Sequence, residues 1–136
     1  MKRVFVDTNV FLRFFTRDDA NHHKRAKSLF KKAAAREIEL LTGPPVLFEV
    51  FWTLTSGYKR DAQVALDVLE SIVNHDGIIL TDKRLVEAAI QKARDTGEDY
   101  ADAYICVLAQ SQKCDSVATF NIKHFKSLGV EIEKIF

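Results

Sequence analysis

Short apolar or β-branched runs alternate with longer helical patterns along the whole chain, and this alternation restricts the fold more than any other feature. Residues 4–6, 38–41, 78–80, 117–119 and 130–132 read as strands. Between them, residues 8–15, 20–36, 44–55, 61–74, 82–94 and 100–113 carry helical periodicity. Pro44 and Pro45 open the third of these segments, where a helix tolerates proline. Strands separated by whole helices pair in parallel, with the helices covering the sheet. The expected fold is therefore α/β: a three-layer α/β/α sandwich with a central, mainly parallel sheet. At 136 residues the chain is expected to be a single domain spanning 1–136. Ligand sites in such sheets gather at the carboxyl ends of the strands.

Several classes are excluded or disfavoured. Apolar residues make up 47% of the chain, too many for intrinsic disorder. No apolar run approaches the roughly 20 residues needed to span a bilayer. The first residues enter a strand without a signal-peptide pattern. Cys106 and Cys114 lie eight apart, a spacing that on a helix amounts to about two turns and is too far to bridge, so both read as reduced thiols. A cytoplasmic protein with no membrane association is expected. The histidines 22, 23, 75 and 124 show no zinc spacing.

Five polar residues fall at or near the carboxyl ends of the expected strands. Asp7 ends the first strand and equally suits the N-cap of the next helix. Glu49 lies in VLFEVFWTL, a segment apolar on every side. A carboxylate inside such a buried helix costs several kcal/mol unless paired, protonated or bound to a cation. No basic residue lies within one turn of it, so it requires a tertiary partner, or else it emerges at one polar edge. Asp99 and Asp102 open the helix at 100–113, three residues apart, where they suit a capping role or a shared cation. Asn121 follows the fourth strand and suits an N-cap or, through its carbonyl, a metal or its water. Oxygen donors without His or Cys favour hard cations, Mg²⁺ or Mn²⁺, and such clusters act on phosphate esters.

The segments VDTNVFLRFF at 6–15, GPPVLFEVFWTL at 43–54, DYADAYICVLA at 99–109 and VATFN at 117–121 together resemble the PIN domain. The resemblance runs over essentially the whole chain and is nearest to VapC-type toxins of toxin–antitoxin pairs. It implies a PIN-like parallel sheet, a Mg²⁺- or Mn²⁺-dependent ribonuclease, a homodimer and a small inhibitory antitoxin. Carried over by residue, Asp7, Glu49 and Asp102 match the family's regular metal-site acids. Asp99 matches an additional acid, and Asn9 and Thr119 match supporting polar positions. Asn121 departs from the family, whose members commonly have Asp in this T-F-D position. Asp7, Glu49, Asp99, Asp102 and Asn121 are thus the expected catalytic set. Two alternatives stay open: a solitary RNA-processing PIN nuclease, and a catalytically weakened PIN domain acting as an RNA or protein interaction module.

The charge distribution bears on the substrate. The net charge is +1, which argues against a uniformly basic nucleic-acid binder. Residues 1–36, however, hold 10 Lys and Arg against 3 acids, a balance of +7, and the remainder of the chain carries −6. Lys24, Lys27 and Lys31 share one face of the second helix and read as a phosphate track or as a solvated face. Arg13 and Arg17 lie nearer Asp7 in sequence and are candidates for RNA or for an antitoxin carboxylate. His22 and His23 read as surface residues. Phe14, Phe15, Phe48, Phe51 and Trp52 read as core or interface, part of them covering a dimer seam.

Overall fold

The computed structural model describes residues 1–135. They fall into two compact units, Met1–Lys83 and the part beginning at Arg84. The first unit contains β1 (Arg3–Phe5), α1 (Thr8–Thr16), α2 (Ala20–Ala34), β2 (Glu39–Thr42), α3 (Pro44–Trp52), α4 (Ala62–Val73) and β3 (Ile78–Leu80). A π-helical turn, Thr53–Gly57, continues α3. After β3 come α5 (Lys83–Thr96), α6 (Tyr100–Ser111) and α7 (Ile122–Ser127). The architecture is that of an α/β sandwich, as the alternation predicts.

The sheet runs β1-β2-β3 with both pairings parallel. Its register places Val4, Leu40 and Ile78 in one row and Phe5, Leu41 and Ile79 in the next. Rows alternate between faces. Both crossovers step the same way across the sheet, so the right-handed rule puts α1–α2 and α3–α4 on one face. The packing of α1 on α2 and α3, and of α3 on α4, agrees. Fully buried Leu40 belongs to the row facing them, and Ile78 borders a cavity of about 50 Å³ with Phe11, Phe14 and Phe30.

Local chemistry explains the helix starts. Asp19 accepts from the His22 amide at 2.9 Å and Asp61 from the Gln63 amide at 2.8 Å, satisfying donors that the first turn leaves open. The two prolines occupy the first positions of α3. Gly77 is required by close approach, because a Cβ there would lie 2.7 Å from the Ala33 Cβ of α2.

The fourth and fifth expected strands are not formed as strands. Val117 and Ile132 make one isolated parallel bridge, with Val117 N–H donating to Glu131 O at 2.8 Å and Glu133 N–H to Val117 O at 2.9 Å. Both residues are only half-buried and their neighbours Ala118 and Glu131 are exposed. A parallel ladder is favoured by burial on both faces, and this segment lacks it. Both cysteines are free thiols, as expected. His23 is not a plain surface residue: it is half-buried, stacks on Phe14 and contacts the Phe14 carbonyl at 3.0 Å. Of the five aromatics, Phe51 is buried, Phe14, Phe15 and Phe48 are half-buried, and Trp52 is 67% exposed.

The turn joining α1 to α2 is closed by Asp18, which accepts from Tyr58 Oη at 2.7 Å, Thr16 Oγ1 at 2.8 Å and the Arg13 guanidinium at 3.1 Å. These bonds, Tyr58 first, hold the Asp18 carboxyl down at about 2.

Two outcomes are expected. Gly77→Ala forces overpacking against α2 and lowers stability by about 1–3 kcal/mol in urea unfolding; an unchanged midpoint contradicts the close approach. Asp18's folded pKa lies below its unfolded value, so its contribution is present above pH about 4 and is lost as pH falls through about 2. Tyr58→Phe removes the largest cause, so the Asp18 titration followed by carboxyl NMR moves to higher pH.

Candidate active site

The carboxyl edge of the first unit is built outward from buried Thr42. Its Oγ1 donates to the Val6 carbonyl at 3.1 Å, and the Val6 amide donates to Leu41 O at 2.8 Å. Pairing with β2 thus continues one residue past β1 and fixes the direction in which the chain reaches Asp7. Asp7 is extended and is the N-cap of α1, its carboxylate accepting from the Thr8 amide at 2.7 Å. Thr8 is buried, and its hydroxyl donates to Glu49 Oε2 at 3.1 Å. One threonine therefore binds both carboxylates, by backbone to Asp7 and by side chain to Glu49.

Glu49 is exposed, which corrects the expectation of a helix buried on every side. Along α3, Val46, Leu47, Val50 and Phe51 face the core, while Pro45, Glu49 and Trp52 follow at i, i+4 and i+7 along an exposed edge. Glu49 therefore sits at a polar edge, the alternative the sequence leaves for it, beside Trp52, which reads from sequence as core or interface and is exposed.

The second unit carries its own acidic group. Asp99 is the N-cap of α6, but its side chain makes no capping bond. Asp102 sits in the first turn, and Asn121 Nδ2 donates to its Oδ2 at 3.4 Å. Asn121 occupies the N-cap of α7, also without a capping bond from its side chain, while its own amide donates to Thr119 Oγ1 at 2.9 Å. Partial burial first, then the charge of Asp99, pushes the Asp102 carboxyl up; His124 opposes the shift. His124 Nδ1 lies 2.7 Å from Glu98 Oε2, and this bond draws the Glu98 carboxyl down. Sequence reasoning missed Glu98 and His124. They stand 26 residues apart, and neither completes a motif with recognisable spacing.

The remaining candidates fall as follows. Asn9 lines a groove between α1 and α2, as does Arg13, which is also paired with Asp18. Arg17 is exposed and closes α1 in the left-handed conformation, φ 58°. Lys24, Lys27 and Lys31 are exposed. Among the described residues, no group of three or more His, Cys, Asp or Glu is already gathered in a form that could hold a metal ion. The donors nonetheless fit a hard cation by their chemistry: accessible carboxylates and an amide, with no thiolate.

A parallel sheet under helices, with Asp7 capping the helix that leaves its carboxyl edge and Glu49 joined to it through Thr8, defines an acid-site α/β protein. The PIN-domain family model matches residues 4–130, and the chain belongs to that family. PIN domains are generally metal-dependent nucleases. No curated protein matches the chain. No helix among the described residues is long and apolar enough to cross a membrane.

Thr8→Val keeps the backbone bond to Asp7 and deletes only the hydroxyl that holds Glu49. Denaturant unfolding is expected to show a loss of about 0.5–1.5 kcal/mol, with helicity by circular dichroism unchanged. Equal stability of the two proteins contradicts a structural hold on Glu49.

Proposed function

We propose that the protein is a Mg²⁺- or Mn²⁺-dependent endoribonuclease of the VapC-like toxin type, hydrolysing RNA phosphodiester bonds. The observation that carries this reading is Thr8 shared between Asp7 and Glu49, which joins carboxylates from two separate helices at the sheet edge. By the family pattern, Asp7, Glu49 and Asp102 are the residues that would hold the ion. When bound, the ion lowers the pKa of a water and offsets charge in the in-line transition state. The chain's own residues prepare that chemistry. Thr8 orients Glu49 through one oxygen. Asp99 adds negative charge beside Asp102, a repulsion that a cation would relieve, and would ligate or orient a water. Asn121 assists from its place against Asp102, and Thr119 fixes the turn on which Asn121 stands. In keeping with this type, the protein is a cytoplasmic homodimer restrained by a small antitoxin; the exposed indole of Trp52 supports an apolar seam.

One observation favours a second reading, a weakened PIN domain that binds RNA or protein. Asn121 meets Asp102 as a hydrogen-bond donor, where the family commonly places a carboxylate. The amide brings no negative charge to a cation.

RNA cleavage with Mg²⁺, Mn²⁺ and EDTA separates these readings. Wild type is expected to cleave with either ion and to stop in EDTA. Asp7→Ala is expected to lose at least about 100-fold in rate, with an unchanged circular dichroism spectrum. Wild-type cleavage by Asp7→Ala, or cleavage persisting in EDTA, refutes the metal-centred mechanism. A gain in Asn121→Asp shows that the amide limits the site. No cleavage by wild type, together with no Mn²⁺ binding by calorimetry, establishes the module instead.

A further inference from the structure

The hairpin of α1 and α2 carries a groove of about 540 Å³ that the carboxylate pair does not occupy. Asn9 and Arg13 line it from α1, His22 and Arg25 from α2, and Val10 and Leu29 give it an apolar floor. No Asp or Glu lines it. Two of its polar groups are engaged by acids of the hairpin turn: Arg13 with Asp18 at 3.1 Å and His22 with Asp19 at 3.2 Å. Arg25 has no ion pair among the described residues. Its fork of donors is therefore the uncompensated charge of the groove, and Arg13 keeps donors beyond the one given to Asp18.

Helix geometry separates this charge from the lysines. His22, Arg25 and Leu29 follow at i, i+3 and i+7 on one face of α2. At about 100° per residue, Lys24, Lys27 and Lys31 centre on the opposite face. The Arg25 face lines the groove, and none of the three lysines does. The groove also adjoins the candidate site, because Asn9 lies two residues beyond Asp7 in the first turn of α1. A cationic rim over an apolar floor suits a phosphodiester with its attached nucleoside: the guanidinium takes the phosphate in a fork, and the floor takes the sugar or base.

We propose that this groove holds a backbone phosphate of single-stranded RNA, with Arg25 as its principal contact and Arg13 and Asn9 lining the path to Asp7. The proposal rests on the nuclease reading above and names the route of the substrate to that site.

The test is binding without cleavage: fluorescence anisotropy of a labelled single-stranded RNA oligonucleotide with the full chain in EDTA, over a range of salt. Arg25→Ala is expected to weaken binding about fivefold to tenfold and to reduce the slope of log K against log salt by about 0.7. Arg25→Lys is expected to recover the slope but only part of the affinity, since an ammonium keeps the charge without the fork. The combined Lys24→Ala, Lys27→Ala and Lys31→Ala variant is expected to lose less than Arg25→Ala alone. Unchanged binding by Arg25→Ala, a larger loss in the lysine variant, or no RNA binding by wild type overturns the proposal. So does Arg25-dependent binding of a poly-glutamate peptide that RNA does not displace, which assigns the groove to an acidic protein segment. Arg25-dependent RNA binding without cleavage in Mg²⁺ or Mn²⁺ leaves the groove standing and refutes the nuclease reading. Cleavage unaffected by Arg25→Ala does the reverse.

Discussion

The bond from the buried hydroxyl of Thr42 to the Val6 carbonyl closes the pairing of β1 with β2, and the carboxyl edge depends on it. Val6 is held on both sides, through its amide to Leu41 and its carbonyl to Thr42, so the next residue leaves the sheet in a fixed direction. That residue is Asp7, whose extended backbone turns directly into α1 as its cap. Thr8 then enters the buried layer and reaches Glu49. On β2 the same Thr42 is followed by Gly43, where a Cβ would lie 2.9 Å from Thr81 Oγ1. The absence of a side chain at 43 lets α3 start close to β3 and carry Glu49 to the level of Thr8. A single buried threonine thus couples the exit of one strand to the start of the next strand's helix.

The two acidic groups are organised on different physical grounds. In the first unit the carboxylates share a donor, and Asp7 also lies at the positive end of a helix, where negative charge is favoured. In the second unit the carboxylates oppose each other: Asp99 and partial burial both raise Asp102. There the groups that favour the Asp102 carboxylate are the amide of Asn121 and, at longer range, His124, itself bonded to Glu98. A carboxylate at position 121 would add to the repulsion on Asp102 and make the group more dependent on a bound cation. The amide relaxes the resting group and gives up one negative charge. Asparagine at 121 therefore spares Asp102 a further repulsion and forgoes one negative charge.

The sequence-level reading reached the sheet and most helices because their signals are local. Pro44–Pro45 and the three apolar or β-branched runs at 4–6, 38–41 and 78–80 are each legible within a few residues. Asp7 and Glu49 were legible as anomalies, one at a strand end and one amid apolar residues. What failed required knowing which side of an element faces inward. Trp52 is apolar yet exposed, so the edge of α3 was invisible to hydropathy. The runs at 117–119 and 130–132 have strand composition, but burial reduces them to one bridge. Glu98 and His124 meet only through the fold, and the lysines of α2 were counted as charge without a view of where a cavity opens.

Those same facts change the meaning of a net charge of +1. The basic excess of the first 36 residues is not available as a uniform field. Asp18 neutralises Arg13 in part, and an exposed pair of this kind is further weakened by salt. The lysines on the far face of α2 attract polyanions without orienting them. What survives at short range is one guanidinium over an apolar floor, beside a helix whose cap is an exposed acid. On the proposal above, an anionic polymer meeting this surface would be repelled by Asp7 and Glu49 unless a cation intervenes, and would be held at Arg25 in either case. A net charge of +1 supplies little long-range attraction, so on the proposal above orientation of a phosphate comes from the juxtaposition of the Arg25 groove with the acidic edge.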